Sequence, residues 1–239
     1  MAQGLRLGVL PEGYIYPKAA RAVRDVLRKR AHLVRQHTAN VLSVQNILAR
    51  HTGSRFSAKR IHACTQADLE DLLPEANQVL AVTSSLALLD CLRQQINTLA
   101  KAVTTSLQPT PGAAQLLPVD GIGTMLAQTI GRETGDMGRV LTVGNSAADC
   151  RWVKSTKISN GKRKGPGNVN TGHPYLEWAS MAAAQCAMRF NPTGPRFSQR
   201  QHAKSHLRVA RKAVAHTLSR ACYDSMRDLV PCDVHTAFG

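Results

Sequence analysis

Two long segments of the chain repeat apolar residues at alternating steps of three and four, the spacing of a helix that buries one face. The first lies within residues 18–51, which contain no glycine and no proline. The second spans about residues 84–107. The two stripes consist of Val23, Leu27, Arg30, Val34, His37, Val41, Val44 and Leu48, and of Leu89, Leu92, Ile96, Leu99, Val103 and Leu107. The pattern predicts two coiled-coil helices, and an ordinary core-facing helix is the alternative interpretation.

These two predicted helices can pair in either of two ways. They form a hairpin within one chain or a bundle between two chains, and the heptads favour neither arrangement. Residues 54–80 predict shorter helices between them, and Thr65 followed by Asp68 is a typical helix start.

A cluster of helix-breaking residues, 108–112, separates the heptad segments from the rest of the chain. We therefore divide the chain into residues 1–17, a remnant or linker, residues 18–107, a coiled-coil helical region, and residues 113–239, a second domain.

The sequence of the second domain predicts two helices at its C-terminal end, at about residues 175–189 and 199–229. It shows no convincing strand ladder. The predicted fold is thus mainly α. Long coiled-coil helices precede a helical domain that contains a helix-hairpin-helix-like element.

The net charge of the chain indicates which kind of molecule it binds. The chain has 31 Lys and Arg against 15 Asp and Glu, a formal net charge of +16, so a polyanion is expected to bind it. Aromatic residues are only 4% of the chain, which favours backbone contacts over base stacking. The N-terminal residues lack the pattern of a signal peptide, and no apolar run is long enough for a membrane helix. We expect a cytoplasmic protein with no membrane partner.

The segment Gly121-Ile122-Gly123 precedes a predicted helix and resembles the hairpin of helix-hairpin-helix DNA-binding modules. Two glycines permit a tight turn, and the free N–H groups of the helix start can receive a phosphate. Ile122 would fill the hairpin. The alternative is a plain glycine-rich helix start.

A basic, glycine-rich loop follows, in which Ser159 lies three residues before a run of three cations, Lys162, Arg163 and Lys164. A hydroxyl nucleophile beside cationic side chains is what phosphoryl transfer requires. Such loops more often serve as phosphate clamps without chemistry. Ser155 is a competing nucleophile if this segment is helical.

The last predicted helix carries Lys204, Arg208 and Lys212 at steps of four, which predicts contact with a nucleic-acid backbone. A solvated basic face is the alternative. His202 and His206 have the spacing of a helical metal pair, but the sequence offers no third ligand, so no metal site is predicted.

Four short segments together resemble, in order and spacing, the C-terminal domain of insertion-sequence transposases of the "one-ten" family, the DEDD, RNA-guided recombinases. They are residues 117–123, 133–139, 159–167 and 172–176. Residues 18–107 look like the central coiled coil of that family.

The resemblance implies a DNA transposase that works by recombination, with Ser159 in the position of the serine that links covalently to DNA in a composite site of two subunits. It also implies a homo-oligomer formed through the coiled coil, with DNA and a structured guide RNA as partners. The family's four Mg²⁺-binding carboxylates lie upstream of the coiled coil, where this sequence offers only Glu12. The expectation is a fragment that binds no cofactor itself, Mg²⁺ belonging to the missing N-terminal domain.

Two other functions fit the same residues. The chain could be a non-catalytic DNA- or RNA-binding protein that uses the hairpin and the basic helices. It could also be an interaction protein built on the coiled-coil helices, with no affinity for nucleic acid.

Overall fold

A computed structural model describes residues 14–153, 156–167 and 171–238, together with residue 3 and residues 6–8. The prediction of a mainly α fold is confirmed. The helices form two hydrophobic clusters, one in the N-terminal helical hairpin and one in the domain that follows it.

The hairpin consists of α1 (Lys18–Thr52) and α4 (Ala76–Ser106), with the short helices α2 (Ala58–Ala63) and α3 (Gln66–Leu72) between them. α1 packs along α4 of the same chain, so the two predicted helices pair as an intrachain hairpin. All the predicted stripe residues of α1 are buried or half-buried. We call this pair of long helices the arm.

Local sequence signals set the ends of these helices. α1 begins directly after Pro17 and ends at Thr52, because the next residue, Gly53, has a φ of +66° that favours glycine. α3 begins with a capping box, in which Thr65 accepts a hydrogen bond from the Asp68 N–H while the Asp68 carboxylate accepts from the Thr65 N–H. The predicted helix start at Thr65 is therefore confirmed.

The second domain is built from short helices around one core. Its elements are α5 (Pro111–Ala114), α6 (Thr124–Thr134), a 3-10 turn (Met137–Arg139), α7 (Val143–Asp149), β1 (Thr156–Ser159), β2 (Lys162–Pro166), α8 (Pro174–Phe190), α9 (Gly194–Lys204), α10 (Leu207–Asp228) and α11 (Val234–Phe238). α8 lies at the centre and contacts α6, α9 and α10.

α8 can occupy this position because its buried face is made of small side chains. Ala179, Ala183 and Ala187 are each at most 1% exposed, and they let neighbouring backbones approach closely. A Cβ at Gly194 would lie 2.6 Å from the Ala187 carbonyl oxygen, which shows how near α9 comes. The core around α8 thus depends on the absence of large side chains.

The structure differs from the sequence prediction in two places. β1 and β2 form an antiparallel ribbon where no strand was expected. The predicted single helix over 199–229 is two helices, because Ser205 is fully extended, with φ −162° and ψ 179°, and His206 is also outside helical geometry. No described helix has the length and apolar composition that crossing a bilayer requires.

Candidate nucleic-acid interface

The ribbon that carries Ser159 is a β-hairpin with a two-residue loop. Asn160 and Gly161 form its turn, with φ values of +51° and +70°. Positive φ at both central residues defines the type I′ turn, whose twist matches that of antiparallel strands, and Asn-Gly is its preferred sequence. The turn places Ser159 directly opposite Lys162.

The register of the ribbon gives the three predicted cationic residues different positions relative to Ser159. Ser159 pairs with Lys162, and directly opposed residues project from the same face with Cβ atoms about 5 Å apart. Arg163 instead pairs with Ile158, on the other face. Lys164 is the extra residue of a bulge and has no cross-strand partner. Lys162 is therefore the cation nearest in register to the Ser159 hydroxyl.

The ribbon is open to solvent. Every residue of β1 and β2 except Gly165 is exposed, and Ile158 is 66% exposed. An isolated two-stranded ribbon is marginally stable in water, so a surface that covers it would also order it. Ser159 is thus accessible to a large substrate, whereas the competing Ser155 lies outside the described residues.

The predicted glycine hairpin has two different halves. Gly121 has a φ of +94°, and a Cβ there would meet the Cys186 Cβ of α8 at 2.4 Å. Ile122 is 2% exposed in the core, as predicted for a plug. Gly123, in contrast, is exposed at the start of α6 with no atom near its missing Cβ. Only the Gly123 end of the hairpin is free to meet a phosphate.

The break at Ser205 also separates the predicted basic row. Lys204 ends α9, whereas Arg208 and Lys212 lie on α10, so the prediction of three steps along one helix is wrong for Lys204. All three side chains are exposed. His202 lies in the last turn of α9, and its Nδ1 is 3.2 Å from the Ser205 carbonyl oxygen.

A buried ion cluster, which we call the arm anchor, joins α1 to the second domain. It consists of Arg24, Arg28, Glu133 and His173. The Glu133 side chain is fully buried, and its Oε2 accepts hydrogen bonds from Arg24 at 2.8 Å and from Arg28 at 2.8 Å. A further bond from Arg28 Nε to Glu133 Oε1, at 2.7 Å, makes the Arg28 contact bidentate.

Aromatic rings extend the anchor on both sides. The Arg24 guanidinium lies 3.5 Å from the centre of the Tyr16 ring, and the Tyr16 hydroxyl donates to the Glu133 carbonyl oxygen at 2.6 Å. On the other side Arg28 lies 4.7 Å from the centre of the Tyr175 ring. The anchor therefore ties residues before α1, α1 itself and two segments of the second domain into one contact.

Electrostatics keep the Glu133 carboxylate charged. Burial alone raises its pKa, but hydrogen bonds from Arg28 and His173 outweigh burial and hold the pKa at about 2, below the ordinary 4.5. The Glu133 hydrogen bond correspondingly raises the pKa of Arg28. Both oxygens of the Glu133 carboxylate are engaged by arginines that lie on α1, so the anchor is a structural contact.

The described residues contain no cluster of metal-ligating side chains. Among residues 14–153, 156–167 and 171–238 no three His, Cys, Asp or Glu side chains lie close enough together to hold a metal ion. Mg²⁺ needs oxygen ligands, and the buried carboxylate of Glu133 is already paired with arginines.

Sequence reasoning missed the anchor and the ribbon for different reasons. The ribbon had a local signal, Asn160-Gly161, which is the strongest short-range hairpin signature. Glu133 and Arg24 are 109 residues apart, and no local pattern connects them. The anchor does, however, unite two of the four segments on which the family resemblance rests, 133–139 and 172–176.

The comparison with known families agrees with these segments. Residues 113–199 match the family model described as "Transposase IS116/IS110/IS902 family". The matched range includes the glycine hairpin, Glu133, the ribbon and α8. No curated protein matches the chain.

Proposed function

Because residues 113–199 match the model of the IS116/IS110/IS902 family of transposases, we propose that the chain acts on DNA in transposition, with Ser159 as the nucleophile. The observation that carries this proposal is the exposed ribbon, which presents a serine and a lysine on one face beside a type I′ turn. In the proposed step the Ser159 Oγ attacks a backbone phosphorus. A serine–phosphate bond forms as a deoxyribose oxygen leaves, and the strand is held covalently.

Ser159 needs help that the described residues do not supply. In the described part of the chain no side chain hydrogen-bonds to its hydroxyl. A serine is a weak nucleophile until a base removes its proton. This supports a composite site, in which a second subunit or another domain provides the base, as the family resemblance implies.

Lys162 is proposed to stabilise the charge that develops on the phosphate. It is the direct cross-strand partner of Ser159, so a phosphorus in contact with the hydroxyl also lies within reach of the ammonium group. Arg163 and Lys164 are proposed to hold flanking phosphates, together with the free N–H groups at Gly123 and the basic side chains Lys204, Arg208 and Lys212.

Mg²⁺, where the reaction uses it, is proposed to belong to a domain other than the described one. No step above is routed through a metal on this chain. Association through the arm and contact with a structured guide RNA remain parts of the proposal that the family resemblance suggests.

Ser159→Ala is expected to abolish the covalent protein–DNA adduct. The assay mixes the chain with DNA that carries the element's ends and with a full-length relative that supplies the carboxylate domain but whose own nucleophilic serine is replaced by alanine. Loss of the attacking oxygen should lower adduct formation by at least about 1,000-fold. The adduct is measured on a denaturing gel with end-labelled DNA.

Ser155→Ala is the matched control and should retain the adduct. An adduct that survives Ser159→Ala and disappears with Ser155→Ala would move the nucleophile to Ser155. Salt-sensitive DNA binding that persists in both variants without any adduct would favour the non-catalytic nucleic-acid-binding function instead.

Lys162→Met and Arg163→Met are expected to differ in the same assay. Removing a cation that faces the reacting phosphate should slow adduct formation by about 100-fold, a loss typical of one stabilising donor. Arg163 projects from the opposite face, so its variant should lose less than about tenfold, mainly in binding. Equal losses of rate in the two variants would contradict the register argument.

A further inference from the structure

An open groove of about 510 Å³ lies where the end of α8 meets the starts of α9 and α10. Its polar side chains include Arg189 from α8 and Arg211 from α10. Met188 and Leu207 contribute an apolar surface, and Ser198 adds a hydroxyl. The volume is within the range of about 300 to 1,000 Å³ that is typical of ligand sites.

The charge around the groove has one sign. Residues 178–223 contain eight Lys and Arg and no Asp or Glu. On α8 the nearest acid is Glu177, and on α10 it is Asp224, each roughly 20 Å along the helix from the groove arginine at 1.5 Å per residue. An anion in the groove would therefore meet no repulsion from either helix.

The two groove arginines are available to a ligand. Both side chains are exposed, and in the described part of the chain neither has a carboxylate partner. The guanidinium group binds phosphate in a bidentate manner, and two such groups from different helices can hold successive phosphates of a strand. The partial positive charge at the start of α10 acts in the same direction.

We propose that this groove binds the sugar–phosphate backbone of a nucleic acid, with Arg189 and Arg211 on phosphates and the Met188 and Leu207 side chains against a sugar. The proposal rests on the proposed function, since it requires that the chain binds nucleic acid. It adds Arg189 and Arg211 to the phosphate contacts proposed above, and it defines a groove between α8, α9 and α10 in which they act together. The phosphodiester is common to DNA and RNA, so the experiment tests both.

The experiment compares the double variant Arg189→Gln/Arg211→Gln with wild-type protein by fluorescence anisotropy. Labelled duplex DNA and a labelled RNA hairpin of equal length are titrated at several salt concentrations. Each lost phosphate contact lowers the slope of log K against log salt by about 0.9, so the groove variant should show a slope shallower by about 1.8. Because both side chains are exposed, the thermal unfolding midpoint should not change.

Arg55→Gln/Lys59→Gln is the matched control. It removes the same number of charges from exposed positions, Arg55 just before α2 and Lys59 within it, and it should keep the wild-type slope. A changed slope with only one of the two nucleic acids supports the groove and identifies which one it holds.

Two outcomes overturn the assignment while leaving the proposed function intact. In the first, the groove variant and the control bind both nucleic acids equally. In the second, a polyglutamate peptide binds wild-type protein but not the groove variant, whose nucleic-acid binding is unchanged, which assigns the groove to an acidic protein. Failure of wild-type protein to bind either nucleic acid contradicts the proposed function itself, and the groove proposal with it.

Discussion

Glu133→Ala is expected to destabilise the folded chain by about 3 to 5 kcal/mol, the cost of removing one partner from a buried ion pair. Arg24 is only 8% exposed, so its charge would stay buried without a counter-ion. The arm would also lose its main polar contact with the second domain. The measurement is urea unfolding, read as a fall in the transition midpoint.

Asp25→Ala is the control for this variant. Asp25 is exposed on α1, beside Arg24, and has no hydrogen-bonded partner among the described residues. Its replacement should change stability by no more than about 0.5 kcal/mol. Equal effects of the two variants would show that the arm anchor does not hold the fold together.

The pH dependence of stability provides a second readout of Glu133. Its pKa of about 2 in the folded chain lies below its ordinary 4.5, so the carboxylate contributes stability that is fully present above pH 4.5. That contribution, about 3 kcal/mol, is lost as the pH falls towards 2 and the carboxylate takes up a proton. Glu133→Gln should remove this part of the acid sensitivity. The same loss between pH 5 and 2 in both proteins would contradict the assigned cause.

Gly121→Ala is expected to cost about 3 kcal/mol of stability. The new Cβ would lie 2.4 Å from the Cys186 Cβ and 2.9 Å from the Cys186 carbonyl carbon, and backbone cannot move aside cheaply. The φ of +94° adds strain for any residue with a Cβ. Thermal or urea unfolding measures the loss.

Gly123→Ala is the matched control two residues away. Its Cβ would meet no atom within 4 Å, and only the helix start is affected, so a cost of about 1 kcal/mol or less is expected. A variant at Gly121 that is as stable as the one at Gly123 would show that α8 does not pack as closely as the structure has it.

These two glycines also show how far a motif can be interpreted. The sequence pattern predicted one phosphate-binding hairpin at residues 121–123, with both glycines serving the ligand. The structure uses Gly121 to bring the hairpin against α8 and leaves only Gly123 exposed. The requirement for glycine was visible in the sequence, but its cause is a neighbour that follows about 65 residues later.

Local signals predicted most of the helices correctly. The α1 stripe, the capping box at Thr65 and the helix near residues 175–189 depend on interactions within a few residues, so sequence spacing alone reveals them. The prediction of one helix over 199–229 failed at Ser205, and the feature that it missed is also local. Two helices with a short extended break have nearly the same composition as one long helix, and no glycine or proline marks the break.

The sequence by itself determined a basic, mainly helical chain with two heptad segments and a serine beside three cations. Only the tertiary structure decided that the two long helices pair within one chain and that Glu133 anchors the arm. The physical reason is how far apart along the chain the interacting residues lie. Helix spacing and turn chemistry act between near neighbours, whereas a buried ion pair forms only when two distant segments are brought together, and no pattern within either segment specifies its partner.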